Sequence, residues 1–163
     1  MKKSLLKPQA RFKRITDITT DFLEEHNIKA IILDVDNTLI DLDKNPLKYL
    51  DEWIEYIKGA DIKICLASNS LKKQKIESLA TKLDIPYIYF STKPLKRGLK
   101  KAIDIVDEKP RKIAEIGDQL FTDVLGSNRL GMFSILTDPI QPESSVISKL
   151  KRNLEKKVLK KLE

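Results

Sequence analysis

The chain has one cysteine, Cys65, and one histidine, His26, in 163 residues. A single cysteine excludes an internal disulfide and any zinc site built on cysteines. Cys65 sits in the apolar run IKICLA, where a thiol acts as a small buried hydrophobe. His26 precedes the first apolar run and reads as a surface residue. No apolar stretch approaches the roughly 18 residues that span a bilayer. The basic N-terminus lacks the apolar segment of a secretory signal, so the expected location is cytoplasmic. Internal repeats and low-complexity tracts are also missing.

What is present is a mix of 41% apolar and 34% charged residues, enough for one packed domain. The net charge of +7 is unevenly placed. Residues 1–14 carry six basic side chains and no acid, and residues 144–163 carry seven basic side chains and two acids. The body between them is acidic. Basic ends suit a polyanion such as an anionic membrane face or nucleic acid, and they equally suit a solvated surface.

Five short apolar runs recur: KAIILDV (29–35), IKICLAS (62–68), IPYIYFS (85–91), KIAEIGD (112–118) and MFSILTD (132–138). Amphipathic segments with helical spacing lie between them: Leu47, Leu50, Ile54, Ile57; Leu71, Ile76, Leu79, Leu83; Leu95, Leu99, Ile103, Val106; and Leu120, Val124, Asn128. Strands alternating with helices predict an α/β, Rossmann-like three-layer sandwich with a five-stranded, mainly parallel sheet. In such sheets ligands bind beyond the carboxyl ends of the strands, near the point where strand order reverses.

Those ends carry the chemistry. The first ends in Asp34 and Asp36, the second in Ser68–Asn69, the fourth in Gly117–Asp118 with Asp123 close behind, and Lys93 follows the third. Strands disfavour Asp, so two carboxylates at one strand end need a reason. Residues two apart on a strand share a face, so Asp34 and Asp36 are expected on one side, repelling each other unless a cation lies near. Asp118 would complete an oxygen cluster for a hard cation such as Mg²⁺, which takes a few carboxylates and keeps several waters.

DVDNT at 34–38, Ser68 after an apolar strand, Lys93, and GDQLFTD at 117–123 resemble, in order, the four motifs of the haloacid dehalogenase (HAD) phosphatase superfamily. The upstream ITDIT, SNS at 68–70, KP at 93–94 and IGDQLFTDVLGSNRLG narrow the likeness to YqeG-type, subfamily IIIA-like members, which are similar to mitochondrial phosphatidylglycerophosphate phosphatases. GSNR replaces the more usual GGNR and leaves the carboxylates untouched.

The resemblance implies roles. Asp34 would be the nucleophile that forms an aspartyl-phosphate, and Asp36 the general acid and base. Mg²⁺ would be held by Asp34, Asp36 through its backbone carbonyl, and Asp118, with Asp123 in support. Ser68, Asn69 and Lys93 would bind phosphate, with Lys96 the rival for the lysine's place. Thr38 would stabilise the turn. Asn128–Arg129 would contact substrate or serve the helix end. The implied substrate is a phosphate monoester on a lipid head group.

About 31 residues separate Asp36 from Ser68 and 24 separate Ser68 from Lys93, each span used up by one helix and one strand, so no cap domain fits. An open cleft suits a substrate presented by a large body. The expected organisation is a basic lead-in at 1–28, a phosphatase core at 29–140 and a basic amphipathic helix at 141–163. In that helix Val146, Ile147, Leu150, Leu154, Val158 and Leu162 form one stripe, with Lys149, Arg152, Lys156 and Lys160 opposite. The stripe suits either an anionic membrane, giving peripheral association at the inner face, or the surface of the domain. Leu5, Leu6 and Phe12 among Lys2, Lys3, Lys7, Arg11, Lys13 and Arg14 could do similar work. The rival functions are a phosphatase for nucleic-acid ends or small esters, and a non-catalytic Mg²⁺-binding module tethered to RNA, ribosome or protein. The basic ends have no aromatic stacking platform beside them, which disfavours nucleic acid.

Overall fold

Residues 3–163 are described by a computed structural model; Lys2 of the basic lead-in lies outside them. Strands β1 (Ala10–Phe12), β2 (Ala30–Leu33), β3 (Lys63–Ala67), β4 (Tyr87–Ile88), β5 (Ile113–Gly117) and β6 (Phe133–Thr137) form one sheet in the order β1-β6-β5-β2-β3-β4. Every pairing is parallel. The helices are α1 (Thr20–Glu25), α2 (Leu50–Gly59), α3 (Lys73–Leu83), α4 (Lys96–Val106), α5 (Leu125–Arg129) and α6 (Val146–Leu162).

The sheet has six strands, one more than the five apolar runs. The extra strand, β1, lies in the basic lead-in and pairs with β6, Ala10 opposite Ile135 and Phe12 opposite Thr137. Three residues at a sheet edge, flanked by Gln9 and Lys13, bury too little to leave an apolar signature.

The strands are apolar on both faces because helices cover both. On one face Ile31, Leu33, Ile64, Leu66, Ala114 and Ile116 pack with Trp53, Ile54 and Ile57 of α2 and Ile76, Ala80 and Leu83 of α3. On the other, Ala30, Ile32, Cys65, Ala67 and Ile113 pack with Leu99, Ala102 and Val106 of α4. Each fully buried Ile or Leu contributes about 1.5–3 kcal/mol of transfer free energy. Burial pushes the Cys65 thiol up to about 12, so it stays a neutral core residue.

Chain order turns back between β2 and β5. From β2 the chain builds outward through β3 and β4, then crosses to β5 on the other side. The β2 and β5 ends therefore border the crevice where a parallel sheet binds its ligands. Asp34 follows β2, and Asp118 follows β5. Among the described residues no helix is long and apolar enough to cross a membrane.

α6 is docked rather than free. Val158, Leu159 and Leu162 pack on a cluster of Leu6, Leu120, Val124 and Leu136. Val146, Ile147, Leu150 and Leu154 face solvent. The expected stripe is thus divided, and Leu159, which lies off it, joins the packed side. Two charged residues set that rotation: Glu155 is buried, and Arg152 turns toward the sheet end.

Candidate active site

The β2 end is tied to β5 by the Asp34 N–H donating to the Ile116 carbonyl at 2.9 Å. The chain then turns sharply, and the Val35 carbonyl accepts from the N–H groups of Thr38 and Leu39 at 3.2 and 2.9 Å. Asn37 takes the left-handed conformation (φ 60°), which Asn tolerates. Its amide donates to the Gln141 carbonyl and accepts from the Gln141 N–H, both at 2.9 Å, stapling the loop to the segment after β6. The strand geometry stops at Leu33, so Asp34 and Asp36 do not stay on one face.

Three carboxylates come together: Asp34, Asp118 and Asp123 offer oxygens all within 4.8 Å of one another. The Asp36 carboxylate is not in this cluster. It is half-exposed and accepts from Lys75 Nζ of α3 at 2.6 Å. Asp123, expected only in support, stands as close in as Asp118. Its place depends on Gly117, where a β-carbon would lie 2.2 Å from the Asp123 carboxylate. A π-helical turn over Leu120–Val124 carries Asp123 back to that strand end.

Lys93, rather than Lys96, is the lysine that reaches the carboxylate cluster. It is 4% exposed, and its ammonium lies 3.0 Å from Asp34 and 2.7 Å from Asp123. It also donates to the Ala67 carbonyl at 2.7 Å. Lys96 is exposed at the start of α4. Asn69 is engaged with the loop that carries Lys93: its amide oxygen accepts from the Lys93 N–H and the Ser91 hydroxyl, both at 2.8 Å, and its Nδ2 donates to the Lys93 carbonyl at 2.9 Å. That side chain shapes the lysine loop. Ser68 is buried, and its Oγ accepts the Ser70 N–H at 3.0 Å, which leaves its own proton to donate. Helix α3 begins at Lys73, capped by Lys72, so Ser68 is not its N-cap.

Thr38 does more than hold a turn. Its hydroxyl lies 3.1 Å from both Asp34 Oδ2 and Asp118 Oδ1. One hydroxyl proton cannot serve two ionised carboxylates at once, so without a cation the pair favours holding a proton. The electrostatics of the two carboxyls point the same way. Burial, then Asp123 and Asp118, push Asp34 well above the usual carboxylate range against the pull of Lys93. Burial, then Asp123, lift Asp118 to about 6 against Arg152. Burial alone would lower the Lys93 ammonium, but Asp123, Asp34 and Glu115 more than offset it and hold it well above the ordinary lysine value. A hard cation would relieve this strain of like charges, and the donors on offer are all oxygens, the set such a cation prefers.

Four residues of the site have no site reading in sequence, Arg152 among them, which reads there only as part of the polar face of the C-terminal helix. Glu115 is fully buried on β5, 3.6 Å from Lys93, with neither side-chain oxygen hydrogen-bonded among the described residues. Burial, then Asp123, raise it well above its usual value against the pull of Lys93. Its signal was a lone charge inside KIAEIGD. Lys75, Glu143 and Arg152 had no such signal, because each acts from a different element. Asn128 donates to the Leu5 and Lys7 carbonyls at 3.0 Å, and Arg129 donates to the Pro94 carbonyl at 3.1 Å. That pair fixes the N-terminal segment and the lysine loop. His26 is exposed, stacked on Phe22 at 4.3 Å between ring centroids.

The model of the family described as mitochondrial PGP phosphatase matches residues 1–141. The chain belongs to that family. It is a phosphatase of the YqeG-type HAD group. It is 36% identical to "Probable phosphatase YqeG" of Bacillus subtilis (strain 168), over 99% of this chain and 94% of that one. It is 29% identical to the mitochondrial phosphatidylglycerophosphatase GEP4 of Saccharomyces cerevisiae, over 93% of this chain and 88% of that one. A structure from Streptomyces avermitilis assigned to the HAD family of hydrolases shares the fold, with a TM-score of 0.52 and 17% identity over 75% of this chain and 80% of that one. Its substrates, as for any phosphatase of this kind, are phosphate esters.

Proposed function

We propose that this family member is a Mg²⁺-dependent phosphomonoesterase that works through an aspartyl-phosphate on Asp34, and that its substrate is a phosphate monoester on a lipid head group. The observation that carries the chemistry is the surroundings of Asp34. It sits at the sheet's reversal point, within 4.8 Å of two more carboxylates and 3.0 Å from a buried ammonium.

A carboxylate oxygen of Asp34 attacks phosphorus, and the bond to the substrate's ester oxygen breaks. The leaving oxygen takes a proton from Asp36. Water then attacks the acyl phosphate, gives a proton to Asp36, and releases inorganic phosphate and free Asp34. Standing apart from the three-carboxylate cluster leaves the Asp36 carboxylate outside the cation's carboxylate ligands. Lys93 places its charge against a phosphoryl oxygen, and Ser68 donates its hydroxyl proton to another. Asp34, Asp118 and the Asp36 backbone carbonyl would hold Mg²⁺, with Asp123 beside them; when bound, the ion supplies the positive charge that lets one anion attack another.

The lipid reading draws on the relatives' names and on the surface. Leu71, Phe90 and Leu95, in the loops after β3 and β4, are 71%, 55% and 58% exposed, and they flank the segments that carry Ser68 and Lys93. The outer face of α6 adds Val146, Ile147, Leu150 and Leu154 beside Lys149 and Lys156. Exposed apolar side chains among lysines match an anionic bilayer.

Asp34→Asn should abolish hydrolysis of both an aryl phosphate and vesicle-borne phosphatidylglycerophosphate with unchanged circular dichroism. Retained turnover would remove Asp34 as nucleophile. Wild-type activity on the aryl ester alone would remove the lipid substrate and leave the chemistry standing.

A further inference from the structure

Helix α6 touches the segment after β5 at three successive points. Arg152 donates to the Asp118 backbone carbonyl through Nη1 and to Asp118 Oδ2 through Nη2, the latter at 2.7 Å. Lys151 donates to the Gln119 side-chain oxygen at 2.9 Å. The buried Glu155 accepts the Phe121 N–H at 3.2 Å. Residues 151, 152 and 155 lie on one side of a helix, and that side is spent on residues 118 to 121.

A guanidinium beside a candidate cation ligand could repel the cation or orient the ligand. Charge decides between them. Arg152 is flanked by Glu143 at 2.6 Å and Glu155 at 3.2 Å. These two acids outweigh its charge before Asp118 is counted, so the group as a whole does not oppose a cation. The fork takes Asp118 Oδ2 and the backbone carbonyl, while Oδ1 faces Thr38 and the Asp34 carboxylate. Two anchors on one residue fix both its backbone and its carboxylate plane, which a single ammonium cannot do.

We infer that Arg152 is the positioning residue for Asp118, so that the C-terminal helix is part of the cation site rather than an appendage to it. The inference rests on the reading of Asp34, Asp118 and Asp123 as that site. Groups that orient metal ligands typically cost about 10–100-fold in metal affinity when removed.

The test is isothermal titration of Mg²⁺ alone into the full chain, with melting temperature recorded in parallel. Arg152→Met should raise the Mg²⁺ dissociation constant by about 10–100-fold, and saturating Mg²⁺ should recover most of kcat. Arg152→Lys should fall between wild type and Arg152→Met. Glu143→Gln, which loosens Arg152 without touching the core, should shift affinity the same way by less, and it keeps the test open if Arg152→Met does not fold. A lowered melting temperature with wild-type Mg²⁺ affinity in the folded variants would overturn the inference, as would tighter binding. Failure of the wild-type chain to bind Mg²⁺ would instead overturn the underlying reading of the site.

Discussion

Gly117 is where one missing side chain decides the position of another. The Asp123 carboxylate fills the space a β-carbon would take, and from there it reaches Lys93 at 2.7 Å and the Gln119 N–H at 3.0 Å. Gly117→Ala should push Asp123 off both partners. A displacement of about 1 Å near reacting groups can cost about 10²-fold in rate, so turnover of an aryl phosphate should drop on that order while the far-ultraviolet spectrum stays native. Wild-type turnover would show that Asp123 need not sit there. The Gly-Asp pair was legible in sequence as a motif. Its reason, a close approach across a π-helical turn, was not.

Asp118 yields a second expectation at this scale. Its folded pKa of about 6 lies above the unfolded value of about 4. Without a cation the folded state binds the extra proton between those values. The stabilisation from this group is full below about pH 4 and is lost as pH rises through about 6. Cation binding needs the ionised form. Added Mg²⁺ should therefore raise the melting temperature little at pH 5 and clearly more at pH 7. An equal rise at both pH values would contradict the assignment.

Elements were legible where burial is two-sided. β2, β3, β5 and β6 stood out because parallel strands covered on both faces are continuously apolar. β1 was not legible, since its stability comes from one ladder with β6 and little side-chain burial. α6 was legible as a helix but not in its orientation. The stripe predicts a single apolar side, whereas buried Glu155 and inward-turned Arg152 rotate the helix so that its second half packs and its first half does not. The two halves should respond differently to substitution. Ile147→Ser with Leu150→Ser should leave stability within about 0.5 kcal/mol, as exposed changes do, and should weaken flotation with anionic vesicles. Leu159→Asp should lower the melting temperature by setting a charge against the Leu6, Leu120, Val124 and Leu136 cluster. A stability loss in the first pair, or none in the second variant, would mean that the helix sits another way round.

At the scale of the molecule, the site was legible because the topology gathers strand ends. Asp34, Ser68, Lys93 and Asp118 come from four segments; Asp34, Ser68 and Asp118 are visible as polar residues closing apolar runs, and Lys93 as one that follows a run. Their side-chain directions were not visible. Strand alternation carried on to Asp36 predicts it beside Asp34, but the chain leaves the strand at Leu33, and Asp36 turns to Lys75. The partners that come from other elements, Arg152 and Glu143 above all, become neighbours of Asp118 only once the whole sheet is built.

The pairing of β1 with β6 also sets an order of events during synthesis. Ala10 is made before its partner Ile135, which follows 125 residues later. At about 5–20 residues per second, that is a wait on the order of ten seconds. For that interval the basic N-terminal segment has no ladder to join, and it is open to whatever anionic surface or holding factor lies near the exit tunnel.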